Sequence, residues 1–180
     1  MRKTSSIIMI MLSALMFQAC KDSKKENSII GIDQTGSLVS EDDANFAASA
    51  ADRGTTEVEL SFFAKDKLVN SKVKELAAKI LKDYAKANEE LMNIATAKKI
   101  NLPLNSDGQE EKDELNSKSG SEFDKAFIAK LAEGNEKAVK LFDDGTDDVK
   151  DKELNAFAVK TLAILKKQAD DIKAIQDSMK

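Results

Sequence analysis

Apolar residues recur every three or four positions along most of the chain, and four long stretches carry that spacing. Such spacing lays an apolar stripe down one side of a helix. The first stretch runs from about Glu41 to Leu68, with Ser40 placed as its N-cap. Its stripe is Phe46, Ala50, Glu57, Leu60, Ala64 and Leu68. Gly54 interrupts it at about 1 kcal/mol relative to alanine, which predicts a close helix contact or a kink. The second runs from about Lys72 to Lys99 behind Asn70 or Ser71, on Val73, Leu76, Ala77, Ile80, Tyr84, Ala87, Leu91 and Ile94. The third opens at Ser121, where Ser121 and Asp124 approximate a capping box. Phe123, Phe127, Leu131, Ala138 and Phe142 line one face, and Gly145 is the expected stop. The fourth runs from about Asp151 to Ser178, on Leu154, Phe157, Ala158, Thr161, Leu165, Gln168, Ile172 and Ile175.

The connections set the topology. A few residues around Val69–Ser71 join the first two helices, and a few around Gly145–Asp148 join the last two. Each pair is therefore expected to form an antiparallel hairpin. Between the pairs lies a long polar segment, Ile100 to Gly120, with a short helix near Glu110–Leu115. A helix of ~25 residues is ~38 Å long, and a linker of ~20 residues reaches ~66 Å when extended. The linker can therefore run the length of a bundle. The expected fold is all-α: a ferritin-like four-helix bundle, two antiparallel hairpins joined by one long crossover.

The N-terminus is built differently. Arg2 and Lys3 precede an apolar run, Ile7 to Phe17, which ends in Gln18-Ala19-Cys20. That run is shorter than the ~20 residues a membrane span needs. A basic start, a short apolar run and a small residue before the cut make a signal peptide. Cys20 is the only cysteine. Left free in an oxidising compartment it would be a reactive thiol, whereas lipidation turns it into a thioether. Ala19-Cys20 resembles a lipoprotein cleavage motif, with Phe17 where leucine is usual. The expected organisation is a signal peptide over 1–19, a lipidated cysteine and solvated tether over 20–40, and the bundle over 41–180. Localisation would then be the cell envelope, with the protein anchored to the outer membrane and facing the periplasm or the surface. Its membrane partner would be reached through the lipid.

Composition narrows the chemistry. The chain has 28 basic and 32 acidic side chains, closely interleaved, so no basic stripe exists for nucleic acid. It has no histidine. That excludes Ser-His and Cys-His nucleophile pairs, the common zinc sets and the paired Glu-x-x-His motifs of di-iron bundles. No glycine-rich phosphate loop is present. An all-carboxylate cation site is open in principle, and Asp143, Asp144, Asp147, Asp148 and Asp151 are the nearest candidate. Asp148 stands where a calcium loop counted from Asp143 needs glycine. These acids read instead as a solvated turn and a helix N-terminus. No metal and no cofactor is expected.

Four polar residues sit on otherwise apolar stripes, one per helix: Glu57, Tyr84, Asn135 and Gln168. They form a candidate interior polar cluster. It would either bind a ligand or ion, or be a hydrogen-bonded layer that sets helix register. Arg53, one turn before Glu57, is placed to neutralise it.

Residues from about 43 to 176 resemble the bacterial domain-of-unknown-function family 4142, described as ferritin-like and periplasmic or outer-membrane associated. The resemblance rests on Phe46, Glu57 and Val58, on Asp83, Asn88 and Leu91, on Phe123-Asp124 and Leu141-Phe142, and on Leu162 and Leu165. It implies a fold and a compartment, and no activity. The family typically carries histidines where this chain has Tyr84, Asn135 and Gln168, and a proline where it has Ala163. The leading expectation is a lipid-anchored, non-enzymatic envelope protein with a structural or interaction role. The alternative is a ligand- or metal-binding envelope sensor using the interior cluster. An enzymatic reading rests only on carboxylates, Tyr84 and lysines. Phe62 and Phe63 are left over as apolar positions for a protein partner or a second copy.

Overall fold

The computed structural model describes residues 39–102 and 108–180. The signal peptide, Cys20 and the tether up to residue 38 lie outside the described residues. Five helices follow in order: α1 (Glu41–Ala64), α2 (Ser71–Lys98), α3 (Gln109–Asn116), α4 (Gly120–Asp148) and α5 (Lys152–Ser178). No strand occurs among the described residues. The four long helices form the bundle. α1 packs on α2 and α4, and α5 packs on α2 and α4. The short α3 rests on α1 and α4.

Contacts at both poles show that neighbours run antiparallel. Lys98 at the end of α2 pairs with Asp151 (2.8 Å) and Glu153 (2.7 Å) at the start of α5. Lys79, near the start of α2, pairs with Asp171 near the end of α5. Phe46 at the start of α1 meets Phe142 near the end of α4, with ring centroids 5.4 Å apart. α2 and α4 therefore run the same way, so the connection between them crosses the bundle from pole to pole, as the connector lengths predicted.

The core is the set of stripes closed on one another. Leu60, Ile80, Leu91, Phe123, Phe127, Leu131, Leu154 and Leu165 are all buried. Phe142 joins α1 to α5, with Phe157 at 5.7 Å on its other side. Ser40 caps α1 by accepting from Asp43 N at 3.1 Å. Asn70 caps α2, and Asp151 caps α5.

Three boundaries differ from expectation. α1 ends at Ala64 instead of Leu68, because Lys67 N and Leu68 N both donate to the Ala64 carbonyl and close a turn. α4 does not stop at Gly145 but continues to Asp148. Gly145 serves packing: a Cβ there would lie 2.5 Å from the Phe46 ring. Asp143, Asp144, Asp147 and Asp148 consequently belong to the last turns of α4, and only Asp151 stands at a helix N-terminus. The expected capping box at Ser121 and Asp124 is absent. α4 is entered through Ser119 and Gly120, the latter at φ +57°.

Asp124 is used elsewhere. It is 1 % exposed, and its two oxygens accept from Val69 N (3.0 Å) and Asn70 N (2.7 Å) in the α1–α2 turn. Asp43, at the start of α1, does the same for the other hairpin. Its oxygens accept from Lys150 N (2.9 Å) and Asp151 N (3.0 Å) in the α4–α5 turn. Asp124, Lys150 and Asp151 stand at one constant spacing from Asp43, Val69 and Asn70. The two hairpins are thus a structural repeat, each gripping the other's turn with a buried carboxylate.

Replacing Asp43 or Asp124 with alanine should strand two turn N–H groups and cost about 2–3 kcal/mol each. Urea denaturation of the single variants checks this. A loss below about 0.5 kcal/mol in both would show that the grips are incidental.

Candidate functional site

All four polar residues singled out by periodicity are buried. Gln168 is 1 %, Glu57 2 %, Asn135 4 % and Tyr84 5 % exposed. Each sits on the inward stripe of its helix, which is why the spacing betrayed them. They do not converge on one point; they form two connected arrangements.

The first spans α1, α2 and α4. Glu57 lies against α4 at Gly134, where an added Cβ would come within 2.0 Å of the Glu57 Oε1 atom. The carboxyl group thus occupies a notch that only glycine leaves open. Arg53, one turn earlier, is its charge partner at 4.0 Å, beyond hydrogen-bonding distance. The Arg53 Nε is buried with no hydrogen-bond partner. Burial pushes the Glu57 carboxyl up to about 7. Arg53 and Lys137 oppose that shift, and Glu111 on α3 adds to it. The Tyr84 phenol is pushed upward by its own burial and then by the nearby Glu57. One turn before Glu57, Gly54 makes the close helix contact that its position predicted: a Cβ there would lie 2.0 Å from Asn88 Oδ1 on α2.

The second arrangement ties α5 to α2 and α4. The Asn135 amide donates to the Leu165 carbonyl at 3.1 Å. The Gln168 amide donates to Asp83 Oδ2 at 3.1 Å. Gln168 Oε1 and the Tyr84 hydroxyl are buried with no hydrogen-bond partner. Tyr84, Asp83, Thr161 and Gln168 line a cavity of about 10 Å³ between α2 and α5. That is close to the room one water molecule needs.

Sequence reasoning missed Glu111, because α3 carries no readable stripe. Its Oε2 is buried without a hydrogen-bond partner. Asp83 was also missed as a partner for Gln168. Both fall on polar runs that periodicity treats as solvent-facing. The acidic residues after Phe142 are engaged singly: Asp143 with Lys166 at 3.1 Å, Asp144 with Lys140 at 2.6 Å and Asp151 with Lys98 at 2.8 Å. Among the described residues no three His, Cys, Asp or Glu side chains gather as a metal-binding group.

Comparison with known proteins gives a family and a fold. The family described as "Domain of unknown function (DUF4142)" matches residues 33–175. No curated protein matches the chain. Among solved structures, a DUF305 protein from Streptomyces coelicolor, described as secreted, aligns with a TM-score of 0.67 at 15 % identity. The alignment covers 76 % of this chain and 93 % of that one. A DUF305 fragment from Deinococcus radiodurans aligns with a TM-score of 0.70 at 10 % identity, covering 78 % and 98 %. At these identities the likeness concerns the helical fold alone.

Two outcomes follow from the Glu57 notch. Gly134→Ala should be tolerated in a Glu57→Ala background, where it gains helix propensity, and penalised in the wild type. The coupling in a double-mutant cycle should be about 1–2 kcal/mol. Because the folded-state pKa of Glu57 is raised from 4.5 to about 7, burial is free of penalty below the lower value. Stability is lost as pH rises through the higher one. The difference in unfolding free energy between Glu57→Gln and wild type should therefore grow by about 3 kcal/mol over that window. A flat difference would show that the carboxyl is not held in a desolvated site.

Proposed function

The chain belongs to the DUF4142 family, and on that premise we propose that it is a lipid-anchored protein of the bacterial cell envelope with a structural or interaction role and no catalysis. One observation carries this reading: three of the four interior polar residues are engaged with neighbouring helices. Asn135 holds the α5 backbone, Gln168 holds Asp83, and Glu57 fills the Gly134 notch. Side chains used in this way do not present a nucleophile and a base to a shared reacting atom.

The anchor is Cys20. Each buried acyl methylene contributes ~0.8 kcal/mol, so a multiply acylated cysteine holds a soluble bundle on a membrane. Among the described residues no helix is long and apolar enough to cross one. A fold relative described as secreted supports a place outside the cytoplasm, and the N-terminal pattern supports the outer membrane. For the interaction role, Phe62 in the last turn of α1 and Val69 in the α1–α2 connection are 60 % and 59 % exposed. These exposed side chains offer apolar surface to a protein partner or a second copy, while Phe63 packs partly on the core.

The second reading, a ligand- or metal-binding envelope sensor, is favoured by the unpartnered Tyr84 hydroxyl and Gln168 Oε1 beside the small cavity. That cavity has room for a water-sized occupant only.

Fractionation of cells carrying Cys20→Ala should move the protein from the membrane to the soluble fraction; retention on the membrane would sink the anchor. Elemental analysis of protein supplied with divalent cations should give no stoichiometric metal. A bound metal lost in Glu57→Ala or Gln168→Leu would replace the structural reading with the sensor.

A further inference from the structure

We propose that Glu57 is an internal proton-binding site that controls how firmly α3 seats on the bundle. Protonated, the residue lets α3 close over the α1–α4 face; ionised, it repels Glu111 and loosens α3.

The geometry starts from the notch. Glu57 rests on α4 at Gly134, and α3 lies on the same two helices, α1 and α4. Four charged or titratable groups face it. Arg53 comes from α1 itself, Tyr84 from α2, Glu111 from α3 and Lys137 from α4. Arg53 is too far to donate a hydrogen bond, and its Nε points to no other acceptor. Glu111 is a second carboxylate in the same neighbourhood, with one oxygen buried and without a donor. An ionised Glu57 therefore faces a like charge on α3 and has no donor at hydrogen-bonding distance among these groups. Taking a proton from solvent removes the repulsion and leaves a neutral carboxyl in a site of low polarity. Burial of this group holds the transition near neutrality, within the range an envelope protein meets.

The element that responds is α3, because its seat is the weakest among the described helices. It has eight residues, too few to persist as a helix alone. One fully buried side chain, Leu115, anchors it. Its remaining ties are rim contacts: Lys112 to Glu59 (2.5 Å), Glu114 to Lys130 (2.6 Å) and Asn116 to Lys67 (2.6 Å). Lys130 also faces Glu111. Surface pairs of this kind contribute little each, so α3 can move while the four long helices keep their packing.

The molecule carries its own reporter. Tyr84 is the only tyrosine and there is no tryptophan, so ultraviolet-excited emission of the intact chain comes from the phenol beside Glu57. Emission and hydrogen-exchange protection factors would be followed from about pH 5 to about pH 9. The wild type should show one emission transition centred near 7. Protection of α3 amides should fall about tenfold or more across it, with α1 and α4 core amides unchanged. Glu57→Gln should be flat in both readouts, with α3 protected throughout. Glu111→Gln, a change on a surface helix, should keep an emission transition, shifted to lower pH, and lose the change in α3 protection. Its behaviour keeps the test decisive if Glu57→Gln does not fold. Absence of a transition in the wild type, a transition that survives Glu57→Gln, or α3 protection indifferent to the emission change would each overturn the proposal.

Discussion

Two buried carboxylates hold the architecture together. Asp43, in the first turn of α1, and Asp124, in the second turn of α4, each accept two backbone N–H groups from the turn that opens another helix. Asn70 N and Asp151 N, at the N-caps of α2 and α5, belong to the donors that the start of a helix leaves without intrahelical partners, and Val69 N and Lys150 N directly precede them. A carboxylate that satisfies two of them at once is held in place and holds the turn in return. Because Asp43 grips the α4–α5 turn and Asp124 grips the α1–α2 turn, the hairpins are locked at both poles. That double lock sets the register of α1 against α4. The register then decides that Phe46 meets Gly145 and that Glu57 meets Gly134.

Much of the fold was legible because helical amphipathicity is a local signal repeated many times. The stripes from Val73 to Ile94 and from Leu154 to Ile175 placed α2 and α5 to within a residue or two. Short and long connectors then implied the crossover. What failed was whatever depended on a partner distant in sequence. Asp124 has the spacing of a capping residue relative to Ser121, and only its contact with Val69 and Asn70 shows its actual use. Gly145 has the chemistry of a helix stop, yet an aromatic ring from the start of α1 makes it a packing position instead.

The interior site divides the same way. Glu57, Tyr84, Asn135 and Gln168 announced themselves as polar residues on apolar stripes, and all four are buried. Apart from Arg53 beside Glu57, their pairings were not legible. Periodicity ranks positions on one helix but says nothing of which backbone carbonyl or carboxylate faces them. Glu111, and the role of Asp83 as partner of Gln168, escaped notice because their positions look solvent-facing, although each meets the site through a neighbouring element.

The repeat also shows what is peculiar to the polar layer. At the constant spacing that carries Asp43 to Asp124, Glu57 corresponds to Ala138, Tyr84 to Leu165, Asn135 to Gly54 and Gln168 to Ala87. Every polar member has a small or apolar counterpart in the other hairpin. The grips at the poles are kept in both halves, and the layer between them is not. Gly134 stands where the repeat has Arg53, so the notch that admits the Glu57 carboxyl lies at the position equivalent to its charge partner. An unpaired burial of this kind costs stability that a symmetric apolar layer would not lose. The departure from symmetry therefore places the carboxylate most strongly perturbed among the described residues where α1, α4 and the short crossover helix meet. At that junction a change of a single charge acts on the least firmly held element of the fold.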